Sequence, residues 1–112
     1  MVLTIKRYYK GSDQPLSSST EGSGVTLQCS YSTTNSYVIL YWYRKYPNQV
    51  MQYILQKGAR SNSGYSNTAH FAQERFSSIA EQETTTLTIS TLVLSDTAIY
   101  YCALRPTSLH SA

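Results

Sequence analysis

Asp96-Thr97-Ala98-Ile99-Tyr100-Tyr101-Cys102 is the stretch on which the fold turns. Cys102 is one of two cysteines; the other is Cys29, and the single tryptophan, Trp42, lies between them. A disulfide joining two strands far apart in sequence, with an indole packed on it, pins two sheets face to face. Tyr100 stands two residues ahead of the second cysteine, where a sandwich domain ties its corner with a hydroxyl-to-backbone hydrogen bond. Many sequences contain two cysteines by chance; far fewer also place the tryptophan and the Asp-x-Ala-x-Tyr-x-Cys run.

Upstream, the chain alternates as strands do. Val25, Leu27 and Cys29 share one side while Thr26, Gln28 and Ser30 share the other. Residues 31–37 form a Ser/Thr/Asn loop, after which Val38, Leu40 and Trp42 make the inward side of a second strand. Lys45-Tyr46-Pro47-Asn48 reads as a turn, residues 50–56 as the returning strand, and residues 57–67 as a loop holding a weak edge strand. Phe76, Ile79, Leu87 and Ile89 supply the next hairpin, with Leu87 in the core beside Trp42 and Tyr100. Residues 92–97 read as one helical turn, and Ala98, Tyr100 and Cys102 face inward on the last strand. Residues 1–12 show no clean period and form a poorly defined segment, whereas 13–112 form the domain, opening on a short edge strand. Seven or eight short strands without a sustained helical period predict an all-β sandwich.

The chain has 112 residues, enough for one domain with one core. Charged residues make up 13% and the net charge is only +3, part of it from Lys6, Arg7 and Lys10 near the start. With no helix, RNA-binding signature or dense basic face, a nucleic-acid partner is not expected. Two cysteines suit one structural bridge rather than a metal site, which needs four ligands at short spacing. Closing a loop of about 74 residues is worth roughly 4 kcal/mol in the chain-entropy model, and such a bond persists in an oxidising compartment. Yet the first ten residues hold no apolar signal segment, and no stretch is long enough to cross a bilayer. The chain therefore reads as a fragment, with leader and anchor removed or not included. His70 and His110 are the only histidines, and no Gly-x-Ser-x-Gly, Walker loop or metal spacing accompanies them. Neither enzymatic activity nor a cofactor is expected.

Between the inward positions of a half-solvated sheet, residues should be polar. Tyr41 and Tyr43 flank Trp42 on the opposite side instead, and Ile99 and Tyr101 flank Tyr100 likewise. Either these strands are neighbours and carry an aromatic protein interface, or the tyrosines only satisfy β propensity. Arg75, just before Phe76, and Asp96 are candidates for an ion pair closing one end of the sandwich.

Cys29, Trp42-Tyr43-Arg44, Arg75-Phe76 and Asp96-x-Ala98-x-Tyr100-Tyr101-Cys102 together resemble an immunoglobulin variable-type domain. Within that group the chain is similar to the variable segment of a T-cell receptor alpha (or delta) chain, from about residue 13 to 105. The resemblance implies a V-type sandwich of two antiparallel sheets with one inter-sheet disulfide. It implies loops at about 32–37, 56–67 and from 103 onward that meet a peptide held by a histocompatibility molecule. Thr34, Asn35, Ser36, Tyr37, Lys57, Arg60, Tyr65 and Arg105 are the candidate contacts; their Ser, Asn and Tyr content suits adaptable hydrogen bonding and rigid aromatic contact. It also implies that Tyr43, Tyr101 and Lys45 face a beta-chain variable domain, at the extracellular face of a membrane reached through parts outside this chain. Where the family carries a Gln that hydrogen-bonds its counterpart, this chain has Lys45. No Phe-Gly-x-Gly follows Cys102, so an exposed edge is expected beside that strand, as in an unrearranged or truncated segment. The alternative is a V-type domain of an innate cell-surface receptor or adhesion molecule, acting alone or as a homodimer.

Overall fold

A computed structural model of the chain describes residues 2–9, 12–13 and 17–105, those up to 20 only as backbone strands. Strands form where side chains alternate between a dry and a wet side. Along Tyr37–Lys45, Val38, Leu40, Trp42 and Arg44 are buried and the residues between them are not; Ala98–Arg105 buries Ala98, Tyr100, Cys102 and Leu104 in the same rhythm. In chain order the strands are β1 (Val2–Tyr9), β2 (Ser12–Asp13), β3 (Ser17–Thr20), β4 (Val25–Ser30), β5 (Tyr37–Lys45), β6 (Gln52–Arg60), β7 (Ser66–Thr68), β8 (Phe76–Ala80), β9 (Thr84–Ile89) and β10 (Ala98–Arg105). Short 3₁₀ turns at His70–Ala72 and Leu94–Asp96 complete the described elements.

One sheet has the order β2-β1-β10-β5-β6-β7, with β3 also paired to β1; the other is β4-β9-β8. The described chain is an all-β sandwich of these two sheets. The Cys29–Cys102 disulfide crosses between the sheets from β4 to β10, with Cα atoms 6.7 Å apart. Trp42 sits opposite Cys102 in the β5–β10 register and is wholly buried. Its Nε1 donates to Thr85 Oγ1 on β9 at 3.2 Å, so the indole is tied to both layers. Around it pack Leu27, Ile54, Leu55, Leu87, Ile89, Leu92 and Tyr100. Burying each large side chain there contributes about 1.5–3 kcal/mol. A second cluster of Tyr31, Val38, Leu40, Ala59 and Leu104 fills the other end of the sandwich.

The end opposite that second cluster is closed by charge. Asp96 has no exposed surface. Arg75 donates to both its carboxylate oxygens, at 2.9 and 3.0 Å, the backbone N–H of Val93 donates at 2.9 Å, and Arg44 Nη1 lies 3.3 Å away. Burial alone would raise the Asp96 pKa, but the Arg75 hydrogen bonds, the Val93 N–H and both guanidinium charges hold it below the ordinary carboxylate value. The Tyr100 hydroxyl donates to the Asp96 backbone oxygen at 2.7 Å. Burial pushes that phenol up to about 12, so it remains a donor throughout the physiological range.

Three expectations are corrected. Ile79 is 62% exposed, because the two-residue period of β8 that turns Phe76 inward turns Ile79 out. Residues 57–67 are not one loop: β6 runs on to Arg60 opposite Tyr37, and β7 is the edge strand beyond. The edge of β10 is not bare either. β1 lies parallel to it, from Ile5 opposite Ala98 to Tyr9 opposite Cys102, occupying the row of backbone donors and acceptors that an edge strand leaves open. The other strand pairs in both sheets are antiparallel. Among the described residues, no helix is long and apolar enough to cross a membrane.

Candidate functional site

Because Trp42, Arg44, Tyr100 and Cys102 point inward, their neighbours on β5 and β10 must point out. Ile39, Tyr41, Tyr43 and Lys45 therefore lie beside Arg105, Ala103, Tyr101 and Ile99 respectively on one outer face. A register shift in the β5–β6 pairing between Trp42 and Tyr43 sets Tyr53 opposite Tyr43 and Gln56 opposite Tyr41. The Tyr41 and Tyr43 rings stack at 6.0 Å with planes 9° apart, and Tyr53 meets Tyr43 edge-on at 5.9 Å. Tyr53 is fixed in turn by its hydroxyl, which donates to Asn67 Oδ1 at 2.7 Å. Burial in this cluster raises the pKa of Tyr43 and Tyr53. At the turn end of the β5–β6 hairpin, Val50 is 87% exposed and Met51 is also exposed. The result is a rigid aromatic surface with an apolar margin, of a kind that gains when desolvated by a protein partner. Tyr43, Tyr101 and Lys45 all lie on it.

The opposite ends of the same strands carry the loops. Tyr37 opens β5 opposite Arg60, and Arg105 closes β10 opposite Ile39. Thr34, Asn35, Ser36 and Tyr37 are exposed there in sequence, with the Asn35 N–H and side-chain amide both donating to Thr33 Oγ1. Tyr65 is also exposed. Tyr37, Ile39, Tyr41, Gln56, Tyr65 and Arg105 line a concavity of about 540 Å³ that joins the loop end to the tyrosine face. Arg105 Nη1 donates to the Tyr41 hydroxyl at 3.3 Å within it.

Two of the residues expected to meet ligand are placed otherwise. Arg60 turns back under the loops: its guanidinium donates to the carbonyl oxygens of Thr33 and Asn35 at 2.7 Å each. It also donates twice to Gln82 O, at 2.6 and 3.1 Å. It lies 5.3 Å from the Tyr31 ring centre, and Tyr31 in turn donates from its hydroxyl to Glu81 O. Arg60 thus positions the 31–36 and 81–83 segments. Its backbone is left-handed, with φ of 57°, a conformation costing about 1 kcal/mol or more outside glycine, and those four hydrogen bonds offset it. The turn after it needs Gly58, where a Cβ would fall 2.0 Å from the Asn62 carbonyl oxygen. Lys57 is in β6 opposite Leu40, on the side that faces the second sheet, lining a shallow groove with Leu55, Thr68, Phe76 and Ser78.

Not singled out in the sequence were Tyr53 and Gln56 on the outer face, the exposed Val50 and Met51 in the turn beside it, and Arg44 in the Asp96 cluster. Alternation predicts an inward residue at position 44, and a buried arginine there was itself the signal. Arg44 is 7% exposed; its guanidinium lies 4.6 Å from the Phe71 ring centre and donates to Gln52 Oε1. Among the described residues no group of three or more His, Cys, Asp or Glu could hold a metal. His70 lies in the 3₁₀ turn; His110 is outside the described residues.

Known proteins resemble the chain over most of its length. The immunoglobulin V-set domain family matches residues 12–111. T cell receptor alpha variable 26-1 of Homo sapiens is 32% identical over 85 residues, 76% of this chain and 72% of that protein. T cell receptor alpha variable 38-2/delta variable 8, also human, is 32% identical over 94 residues, 82% of this chain and 76% of its own length. The T-cell receptor alpha chain V region RL-5 of Oryctolagus cuniculus is 35% identical over 85 residues, covering 76% of this chain and 59% of the rabbit protein.

Proposed function

The chain belongs to the immunoglobulin V-set family, and from that premise we propose that it reads antigen as one half of a paired receptor. It is a V-type antigen-receptor domain and not an enzyme. Its finer role is that of a T-cell receptor alpha-like variable domain. The outer face of β10, β5 and β6 packs on a beta-type variable domain, while the loop end contacts a peptide presented by a histocompatibility molecule. The assembly stands at the extracellular face of the plasma membrane.

The observation that carries this reading is the continuity of the two surfaces. The stacked Tyr41 and Tyr43 rings, with Tyr53 edge-on to Tyr43, run directly into the concavity lined by Tyr37, Tyr65 and Arg105. A partner docked on the tyrosines therefore brings its own loops beside Thr34, Asn35, Ser36 and Tyr37, and the two sets form one combined surface. Arg60 pre-organises that surface, which lowers the ordering cost of binding.

Tyr43→Asp or Tyr101→Asp places a carboxylate where the partner would exclude water. Either change is expected to weaken association with a beta-type variable domain by about 30-fold, the scale of one interface hot spot. Thermal unfolding of the isolated chain should barely move, since both side chains lie outside the core. Sedimentation velocity across a concentration series measures the first quantity and circular dichroism the second. Unchanged association would remove this face from the interface.

A further inference from the structure

Strands β5, β6, β7 and β10, which carry the tyrosines, are charged in one sense only, and the acid elsewhere in their sheet is Asp13 on β2, beyond β1. Of the acidic residues from position 21 to 105, Glu21, Glu74, Glu81 and Glu83 lie in the segments flanking β4, β8 and β9, and Asp96 is buried under Arg75 and Arg44. Strands β5, β6, β7 and β10 contain no acidic residue, yet they hold Arg44, Lys45, Lys57, Arg60 and Arg105. Arg44 is matched by Asp96, Arg60 is committed to loop carbonyls, and Lys57 lies on the inner side. On these four strands two cations remain on the outer side: Lys45 opposite Ile99, and Arg105 six residues further along β10, roughly 20 Å away at about 3.3 Å per residue.

Arg105 is exposed and donates to the Tyr41 hydroxyl. Lys45 is half-buried, next to Tyr43 on its own strand face and Ile99 across the pair, and it has no hydrogen-bond or ion-pair partner among the described residues. Any domain that covers Tyr43 must also strip water from this ammonium group. A desolvated, unpaired ammonium costs several kcal/mol, and a charge-assisted hydrogen bond to a carboxylate is what offsets that loss.

We propose that the partner domain presents a carboxylate to Lys45, so that this face selects an unlike chain and rejects a second copy of itself. This rests on the pairing proposed above and names the chemistry of the partner. The rejection follows from symmetry. A twofold dimer uses the same patch on both copies; an axis that lays the β5 and β10 tyrosines on their own copies sets Lys45 against β5, β6, β7 and β10, which hold no acidic residue. Opposite charge across the interface gives partner choice and register where the aromatic contact alone is permissive.

The test uses the full chain and a beta-type variable domain made in two forms, with Gln or with Glu at the position that abuts Lys45 in the assembled pair. The Glu form should bind at least tenfold more tightly in calorimetry at low salt. Lys45→Met in this chain should erase that preference. The chain alone should sediment as a monomer at micromolar concentration. Equal affinity for the two forms would overturn the carboxylate and leave the pairing standing. Binding to neither form would overturn the pairing itself, and a micromolar homodimer would overturn the rejection of a second copy.

Discussion

Asp96→Asn is expected to destabilise the domain by about 3 kcal/mol at neutral pH, the lower end of what breaking a buried ion pair costs. The carboxylate accepts from Arg75 twice, from Arg44 and from the Val93 N–H. An amide of the same size keeps one acceptor but turns an N–H toward other N–H groups. Arg75 can recover solvation, its side chain being 30% exposed; Arg44 cannot, because it is enclosed by Phe71, Phe76 and Tyr46. The loss therefore falls mainly on Arg44. Its sign with pH follows from the lowered Asp96 pKa. As pH falls through about 4, the unfolded chain takes up the proton before the folded one does. The carboxylate's contribution is complete above that pH and disappears as pH drops through the lower folded-state value. In urea titrations the gap between parent and variant should be widest near neutrality and should narrow in acid. A loss under about 1 kcal/mol, the scale of a surface pair, or a gap indifferent to acid would mean the cluster is solvated.

Replacing Cys29 and Cys102 together with alanine is expected to cost about 4 kcal/mol. That is a large part of the roughly 5–15 kcal/mol on which a domain of this size stands. The bond closes a sequence separation of 73 residues and joins β4 in one sheet to β10 in the other, so its removal frees most of the unfolded chain. Packing around Trp42 and its hydrogen bond to Thr85 remain, which is why a weakened sandwich is expected rather than a different fold. Urea unfolding with and without reductant measures the effect. Coincident midpoints for parent and double variant would show that packing alone holds the layers.

These two sites were the most legible in the sequence, because each is local in pattern. Cys29, Trp42, Tyr100 and Cys102 occupy alternating inward positions, and Asp96 stands at a corner four residues before the tyrosine that ties it. The tyrosine face was legible for a related reason: Tyr41, Tyr43 and Tyr101 break the polar half of the alternation. What the sequence hid depends on geometry between segments. Arg60 and Lys57 read as loop cations, but a strand that continues to Arg60 puts Lys57 on the inner side of its sheet. A left-handed residue with carbonyls from two other loops in reach draws Arg60 inward. Tyr53 joined the outer face only through the register shift after Trp42. Nothing in a two-residue period foretells that β1 lies along β10. The fold therefore followed from parity, whereas the division of labour among the cations followed from which carbonyls and carboxylates the loops brought within reach.

Pairing through the tyrosine-bearing face, and not through the opposite sheet, is what we propose. Hydroxyl-radical footprinting of the chain, alone and bound to a beta-type variable domain, reads this residue by residue. Tyr43, Tyr53, Tyr101 and Val50 are expected to lose reactivity on binding while Ile79, exposed on β8 in the other sheet, stays reactive. Protection of Ile79 with Tyr43 and Tyr101 unchanged would contradict it.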